Sequence, residues 1–282
     1  MSSSEQEQPQ QPATQHSPIE MLTNLLKTQQ IYWFLGHVLA VFFFAINVFT
    51  AFFRPGSSLR FYKLSLLSII LTYIVVIRQI HFKAGFQLST FNLRLLRDEN
   101  VQYLTLAVVL FSSSFVIGQT RASLYSFVVY ALFHVLTYFQ NHLLPAVVPN
   151  VPVQRRINGL ITQFTHKFNQ PALFLAARAE FLTLLLDGLQ LIPSALLLLF
   201  RRNLKYFLVQ VFVFLVIVIF NKLRYDGNQY TKTVIDLIDT RVTQVVAQVN
   251  NPQLSEVYNK FRTNVITYVG LLQLPKEESK QN

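Results

Sequence analysis

From Asn100 to Gln154 the chain carries a single Asp, Glu, Lys or Arg, namely Arg121. A run so poor in charge points to lipid, and it is more than twice the ~20 apolar residues of helix that cross a hydrocarbon core of ~30 Å. Asn100–Thr120 is long enough for one crossing and Ala122–Leu144 for another. The expectation is two membrane helices joined by a tight turn at Gly118-Gln119-Thr120-Arg121, where the arginine reaches the headgroups. Pro145, Pro149 and Pro152 mark the exit, because each proline removes a backbone donor.

Four further apolar runs extend this pattern. Thr28–Phe53 contains no acidic or basic side chain and has interfacial Tyr32 and Trp33 at one end. It reads as an uncleaved signal anchor. Leu64–Ile77, the uncharged run between Lys63 and Arg78, makes only ~21 Å of helix, so it must snorkel its cations or thin the bilayer. Phe181–Phe200 is interrupted by Asp187-Gly188 and Pro193, and Tyr206–Asn221 is a short run between basic flanks. The fold class is all-α, a polytopic helical membrane protein. Six helices cross if every run spans, and four if Leu64–Ile77 and Tyr206–Asn221 only dip into one leaflet.

The composition agrees, since only 13% of the 282 residues are charged, too few to coat a soluble body of this size. The 24 Lys+Arg against 13 Asp+Glu give a net +11, and the cations sit between apolar runs rather than in one patch. That distribution speaks for membrane topology and against nucleic acid as a partner. Arg78–Glu99 mixes Phe and Leu with Arg and Lys and reads as an interfacial segment, with a solvated loop as the alternative. Arg155–Arg178 holds Arg155, Arg156, Lys167 and Arg178 without an acid and reads as a basic cytoplasmic loop. Six spans with the N terminus inside divide the cations 17 to 7 between cytosol and lumen, which favours a cytosolic position for both termini.

The chain divides into a Gln/Ser/Pro-rich tail expected to be disordered over 1–27, a membrane domain over 28–222, a cytosolic amphipathic region over 223–274 and a polar tail over 275–282. In the amphipathic region, Asn250-Asn251-Pro252 splits two helical stretches. The second carries Leu254, Val257, Tyr258, Phe261, Val265, Tyr268 and Leu272 along one stripe. Residues 251–282 hold four cations against three acids, so apolar insertion of this stripe into the membrane outweighs attraction to anionic lipid. Packing of the stripe on the protein's own loops is the alternative.

Catalytic and metal chemistry find no support. There are no cysteines, and the six histidines show none of the H-x-x-x-H or H-E-x-x-H spacings of metal sites. No cofactor is implied. His134, mid-run and one turn from Tyr138, is expected to hydrogen-bond it within the bundle. Glu180 and Asp187 share a helix face, with Glu180 at the interface near Arg178 and Asp187 deeper. His134 and Asp187, with Asn221, are candidates for an intramembrane polar path, which makes a small transporter or channel the alternative function.

Several ordered short motifs carry a resemblance. Phe86-Gln87-Leu88-Ser89 leads through Leu95-Leu96 and Asp98 into Tyr103-Leu104; Ser126–Leu144 matches through Leu132, His134, Thr137 and Tyr138; and Leu223-Arg224-Tyr225 is followed by Asn228 and Tyr230. In these the chain resembles the eukaryotic Per/Pom family of endoplasmic reticulum and nuclear-envelope membrane proteins, called transmembrane protein thirty-three in animals, and its fungal branch in particular. The resemblance implies a non-enzymatic protein of those membranes that shapes or stabilises curved membrane and supports nuclear pore complex assembly and distribution. It further implies reticulon-type membrane proteins and nucleoporins as partners, and an importin at the C-terminal region.

Overall fold

A computed structural model describes residues 18–83, 85 and 93–274, and every regular element among them is helical. Helix α1, Pro18–Leu26, lies within the segment expected as a disordered tail. Helices α2, Gln29–Phe53, and α3, Pro55–His81, are separated by Arg54 alone. Pro55 opens α3, where a missing N–H is no loss. The hairpin closes tightly because small residues line it. A Cβ added to Gly36 would run into Thr72 Oγ1, and the fully buried Ala40 offers its carbonyl to Ser65 Oγ at 2.9 Å.

Helix α3 has 27 residues, about 40 Å of helix, so the short span expected over Leu64–Ile77 is the uncharged middle of a longer one. Helix continues through Lys63, whose ammonium stands 3.7 Å from the Phe115 ring centroid. The cation is accommodated on an aromatic face instead of ending the helix.

The long uncharged stretch folds into helices on either side of the expected turn at Gly118–Arg121. Helix α4 is Glu99–Ser113 and α5 is Ser123–Tyr138. A π-type turn over Phe139–Leu143 and α6, Leu144–Val147, prolong α5. Part of the missing charge reflects burial in protein, while Val108, Phe115, Tyr125 and Leu132 stay exposed. Tyr103, Leu106, Ala107 and Leu110 of α4 and Leu124 and Phe127 of α5 form one core with Tyr62, Leu66 and Tyr73 of α3. The turn between α4 and α5 places Gly118 at φ +81° and Ala122 at φ 63°. Gln119 ties that turn to the α2–α3 hairpin, accepting from Asn47 Nδ2 at 3.1 Å and donating to Ser58 Oγ at 3.1 Å.

Helix α7 runs from Val151 to Arg201, 51 residues, about 76 Å end to end by helical rise. It absorbs the expected basic loop Arg155–Arg178. The Asn150 side chain caps its start and Pro152 sits in the first turn, so the amino end is satisfied locally. The first half then finds a partner in the end of α5: Gln140 Nε2 donates to Asn158 Oδ1 at 2.6 Å and Thr162 Oγ1 at 2.7 Å, and the Phe133 and Phe164 rings lie 6.2 Å apart. Helix α8, Leu204–Gly227, returns antiparallel along the second half of α7 and adds Val213, Ile217 and Phe220 to the core. Among the described residues α2, α3, α7 and α8 are long and apolar enough to cross a membrane. Helices α4 and α5 run alongside them, with the α4–α5 turn at the same end of the bundle as the Arg54 turn.

Asn228 caps α9, Gln229–Val249, accepting from the Tyr230 and Thr231 amides. The expected break follows: Asn250 ends α9 at φ 50°, and Asn251 caps α10, Pro252–Gly270. The tail expected over 275–282 lies outside the described residues.

Candidate functional site

The end of α8 carries an arginine that is 1% exposed, Arg224. Such a charge is tolerated in an interior only when paired and hydrogen-bonded throughout. Helix α4 supplies Glu99, with Oε1 2.9 Å from Arg224 Nη1, and α7 supplies Glu180, with Oε2 3.4 Å from Nε. Tyr130 of α5 accepts from Nη2 at 3.3 Å, and the Tyr103 ring centroid lies 5.1 Å from the guanidinium carbon. Glu180 is itself satisfied on both oxygens. Tyr103 donates its phenol to Oε1, and Thr231 of α9 donates to Oε2 at 3.1 Å. Asn228, the α9 cap, donates to Glu99 Oε1 at 3.5 Å. Five helices therefore meet at one junction, and it fixes the base of α9 to the bundle.

The junction gathers residues of two separate motifs, Tyr103 from one and Arg224 with Asn228 from another. Glu180, expected at the interface near Arg178, is buried with its side chain turned into the bundle. The pairing had a signal in the chain: Glu180 and Arg224 stand at nearly equal sequence distances on either side of Arg202-Asn203, so an antiparallel hairpin turning there brings them together. Leu223 and Tyr225 flank the junction, and Tyr225 Oη donates to Asp236 of α9 at 2.9 Å. Phe86, Gln87, Leu88 and Ser89 lie outside the described residues.

The candidates for an intramembrane path have separate partners. His134 does not bond Tyr138, whose buried hydroxyl has no partner among the described residues. Instead the His134 ring stacks on His37 of α2 at 4.9 Å between centroids, with Trp33 edge-on to both. The stacking partner comes from another helix and was invisible to spacing within α5. Thr137, one turn on, is exposed. Asp187 Oδ1 accepts from Gln210 Nε2 of α8 at 2.9 Å, while its Oδ2 is buried without a partner among the described residues. Asn221 borders a cavity of about 10 Å³ with Ser123, Ser126 and Thr183, room for one water at most. No group of three or more His, Cys, Asp or Glu is placed to hold a metal among the described residues.

Outside the bundle, Asp98 caps α4 and accepts from His81 Nε2 at 2.6 Å. Partial burial alone would raise its pKa, but the His81 ring and the Asn100 amides hold the carboxyl below its ordinary range. Helix α10 leans on α9 through polar contacts. Arg262 donates to both oxygens of Asp239, at 2.8 Å to Oδ1 and 2.7 Å to Oδ2, and Tyr258 donates to Oδ1 at 3.2 Å. Arg262 accordingly depresses the Asp239 pKa. Tyr258 is thus turned toward α9, whereas Leu254, Val257, Phe261, Val265, Tyr268 and Leu272 are exposed, Val257 by 67% and Phe261 by 64%. No residue of α10 is buried.

Comparison with known proteins finds the family described as transmembrane protein 33/nucleoporin POM33 matching residues 11–270. The chain is similar to the pore and endoplasmic reticulum protein of 33 kDa of Saccharomyces cerevisiae, 33% identical over 257 residues that cover 88% of this chain and 92% of the relative. Nucleoporin POM33 of Chaetomium thermophilum is 27% identical, over 92% of each chain. Tetra-spanning protein 1 of Schizosaccharomyces pombe is 28% identical, over 87% of this chain and 86% of the relative. No solved structure matches.

Proposed function

The chain belongs to the transmembrane protein 33/nucleoporin POM33 family, and from that premise we propose that it is a non-enzymatic protein of the endoplasmic reticulum and nuclear envelope that supports nuclear pore complex assembly and distribution by stabilising curved membrane. The relatives' names carry the location and the pore; the observation that carries the membrane action is the unpartnered apolar face of α10. Short, mismatched spans are no part of this mechanism, since α3 and α8 have 27 and 24 residues. The wedge is α10 alone. Its Leu254, Val257, Phe261, Val265 and Tyr268, with Leu272 just past its end, lie in the headgroup plane of the cytosolic leaflet, adding area to one side of the bilayer. At ~1.5–3 kcal/mol for each large side chain fully buried, three or four anchors hold the helix reversibly after ordering costs are deducted. Tyr258 serves the α9–α10 contact instead.

The domain division into a membrane part to residue 222 and a cytosolic part after it belongs to the same reading, with both termini cytosolic. Nucleoporins are the partners that the relatives' names favour, and the family's reticulon-type proteins and an importin are further ones. The polar-path alternative lacks a comparable observation, because His134, Asp187 and Asn221 have separate surroundings.

The test is Phe261→Glu with Val265→Glu in the full chain, reconstituted into liposomes of mixed radius. Wild type is expected to concentrate on the smallest vesicles, neutral or anionic alike, and the variant to distribute evenly at unchanged protein content. Even distribution of wild type would sink the curvature reading.

A further inference from the structure

The ends of α3 and α4 leave a cleft of about 1020 Å³ lined by Ile74, Ile77, Arg78, Lys83, Leu96 and Leu104 among others. That volume stands at the top of the roughly 300–1,000 Å³ typical of ligand sites. Its chemistry is graded along the helices. Ile74, Ile77 and Leu104 belong to apolar turns of α3 and α4, whereas Arg78 and Lys83 follow where the uncharged run Leu64–Ile77 stops. In a membrane protein this boundary is the headgroup level. Neither cation has an acidic partner among the described residues, and the acids that open α4 are engaged elsewhere, Asp98 with His81 and Glu99 with Arg224.

We propose that this cleft binds one anionic glycerophospholipid, with an acyl chain against Ile74, Ile77 and Leu104 and the phosphate between Arg78 and Lys83. The occupant is argued from complementarity. An apolar floor beside two cations at headgroup depth matches a molecule with a hydrocarbon tail and a phosphate, and basic pockets between membrane helices are known to take anionic headgroups. The site rests on the embedding of α3 in the bilayer and not on any role at the nuclear pore, so it stands or fails separately from the proposed function.

The full chain, purified in mild detergent and stripped of lipid, is titrated with phosphatidic acid and with phosphatidylcholine, and bound lipid per chain is counted by native mass spectrometry. Wild type is expected to take one phosphatidic acid, in preference to phosphatidylcholine. Arg78→Glu with Lys83→Glu is expected to weaken phosphatidic acid roughly thirtyfold or more, from two lost cation contacts, while leaving phosphatidylcholine unchanged. Ile74→Trp, at a residue 48% exposed, fills the floor without entering the core and is expected to reduce both lipids. It keeps the test decisive if charge reversal lowers the melting temperature. Equal lipid counts in wild type and both variants would mean annular lipid only and overturn the proposal. So would displacement of phosphatidic acid by an excess of inorganic phosphate, which would show an anion site without an acyl-chain site.

Discussion

Arg224 shows how much depends on a single charge out of water. Its partners come from α4, α5 and α7, and Glu180 in turn holds Thr231 of α9. Removing the arginine leaves Glu180 buried without its counter-charge. Arg224→Met is therefore expected to destabilise the protein by roughly 3–5 kcal/mol, read as a lower melting temperature in detergent. Glu180→Leu combined with Arg224→Met should recover part of that loss, since a neutral apolar pair leaves no uncompensated charge. A double variant less stable than the single would show that the pair contributes more than it costs. At this scale the sequence was half legible. Arg224 and Tyr103 stood out through their motifs, but the contact that unites them needs Glu180, whose expected place was at the interface near Arg178.

Among the elements, the contrast between α3 and α4 explains where hydropathy reading succeeds. Runs bounded by cations mark helices well, yet α3 passes through Lys63 because an aromatic ring receives the ammonium, so charge-free length understated its extent. The longest uncharged stretch, by contrast, meets protein on one side and presents apolar residues outward on the other. Protein interior and lipid are equally apolar, and burial of Leu106, Ala107, Leu110 and Phe127 in one core with α3 and α8 removes the need for charge as completely as a bilayer does. The α2–α3 hairpin depends on Gly36 for its spacing. Gly36→Ala drives a methyl into Thr72 Oγ1, and overpacking of that kind is expected to cost about 1–3 kcal/mol. Adding Thr72→Ala removes the clashing oxygen and should restore much of the melting temperature. Failure of the second change to help would mean that the strain lies in the backbone.

For the whole molecule, an even number of crossings returns the chain to the side it started from. With both termini cytosolic as proposed, the Arg54 and Arg202–Asn203 turns share the lumenal side with the Gly118 turn, which Gln119 joins to the α2–α3 hairpin. Glycosylation acceptors inserted at Arg54 and at Asn203 are expected to be modified in cells, and one at Gln273 is not. Modification at Gln273 would reverse the orientation and put α10 on the wrong leaflet for the proposed wedge. Which apolar runs pack on one another was not legible in the sequence, because it is a fact about tertiary contacts.

Helix α7 adds a mechanical consequence. At about 76 Å it is more than twice as long as the ~30 Å hydrocarbon layer, so only part of it can lie in the core. Pro171 removes one backbone hydrogen bond between its two halves, and Gln140 holds the first half through Asn158 and Thr162. The direction in which that half leaves the bundle is thereby fixed by one polar contact and one proline.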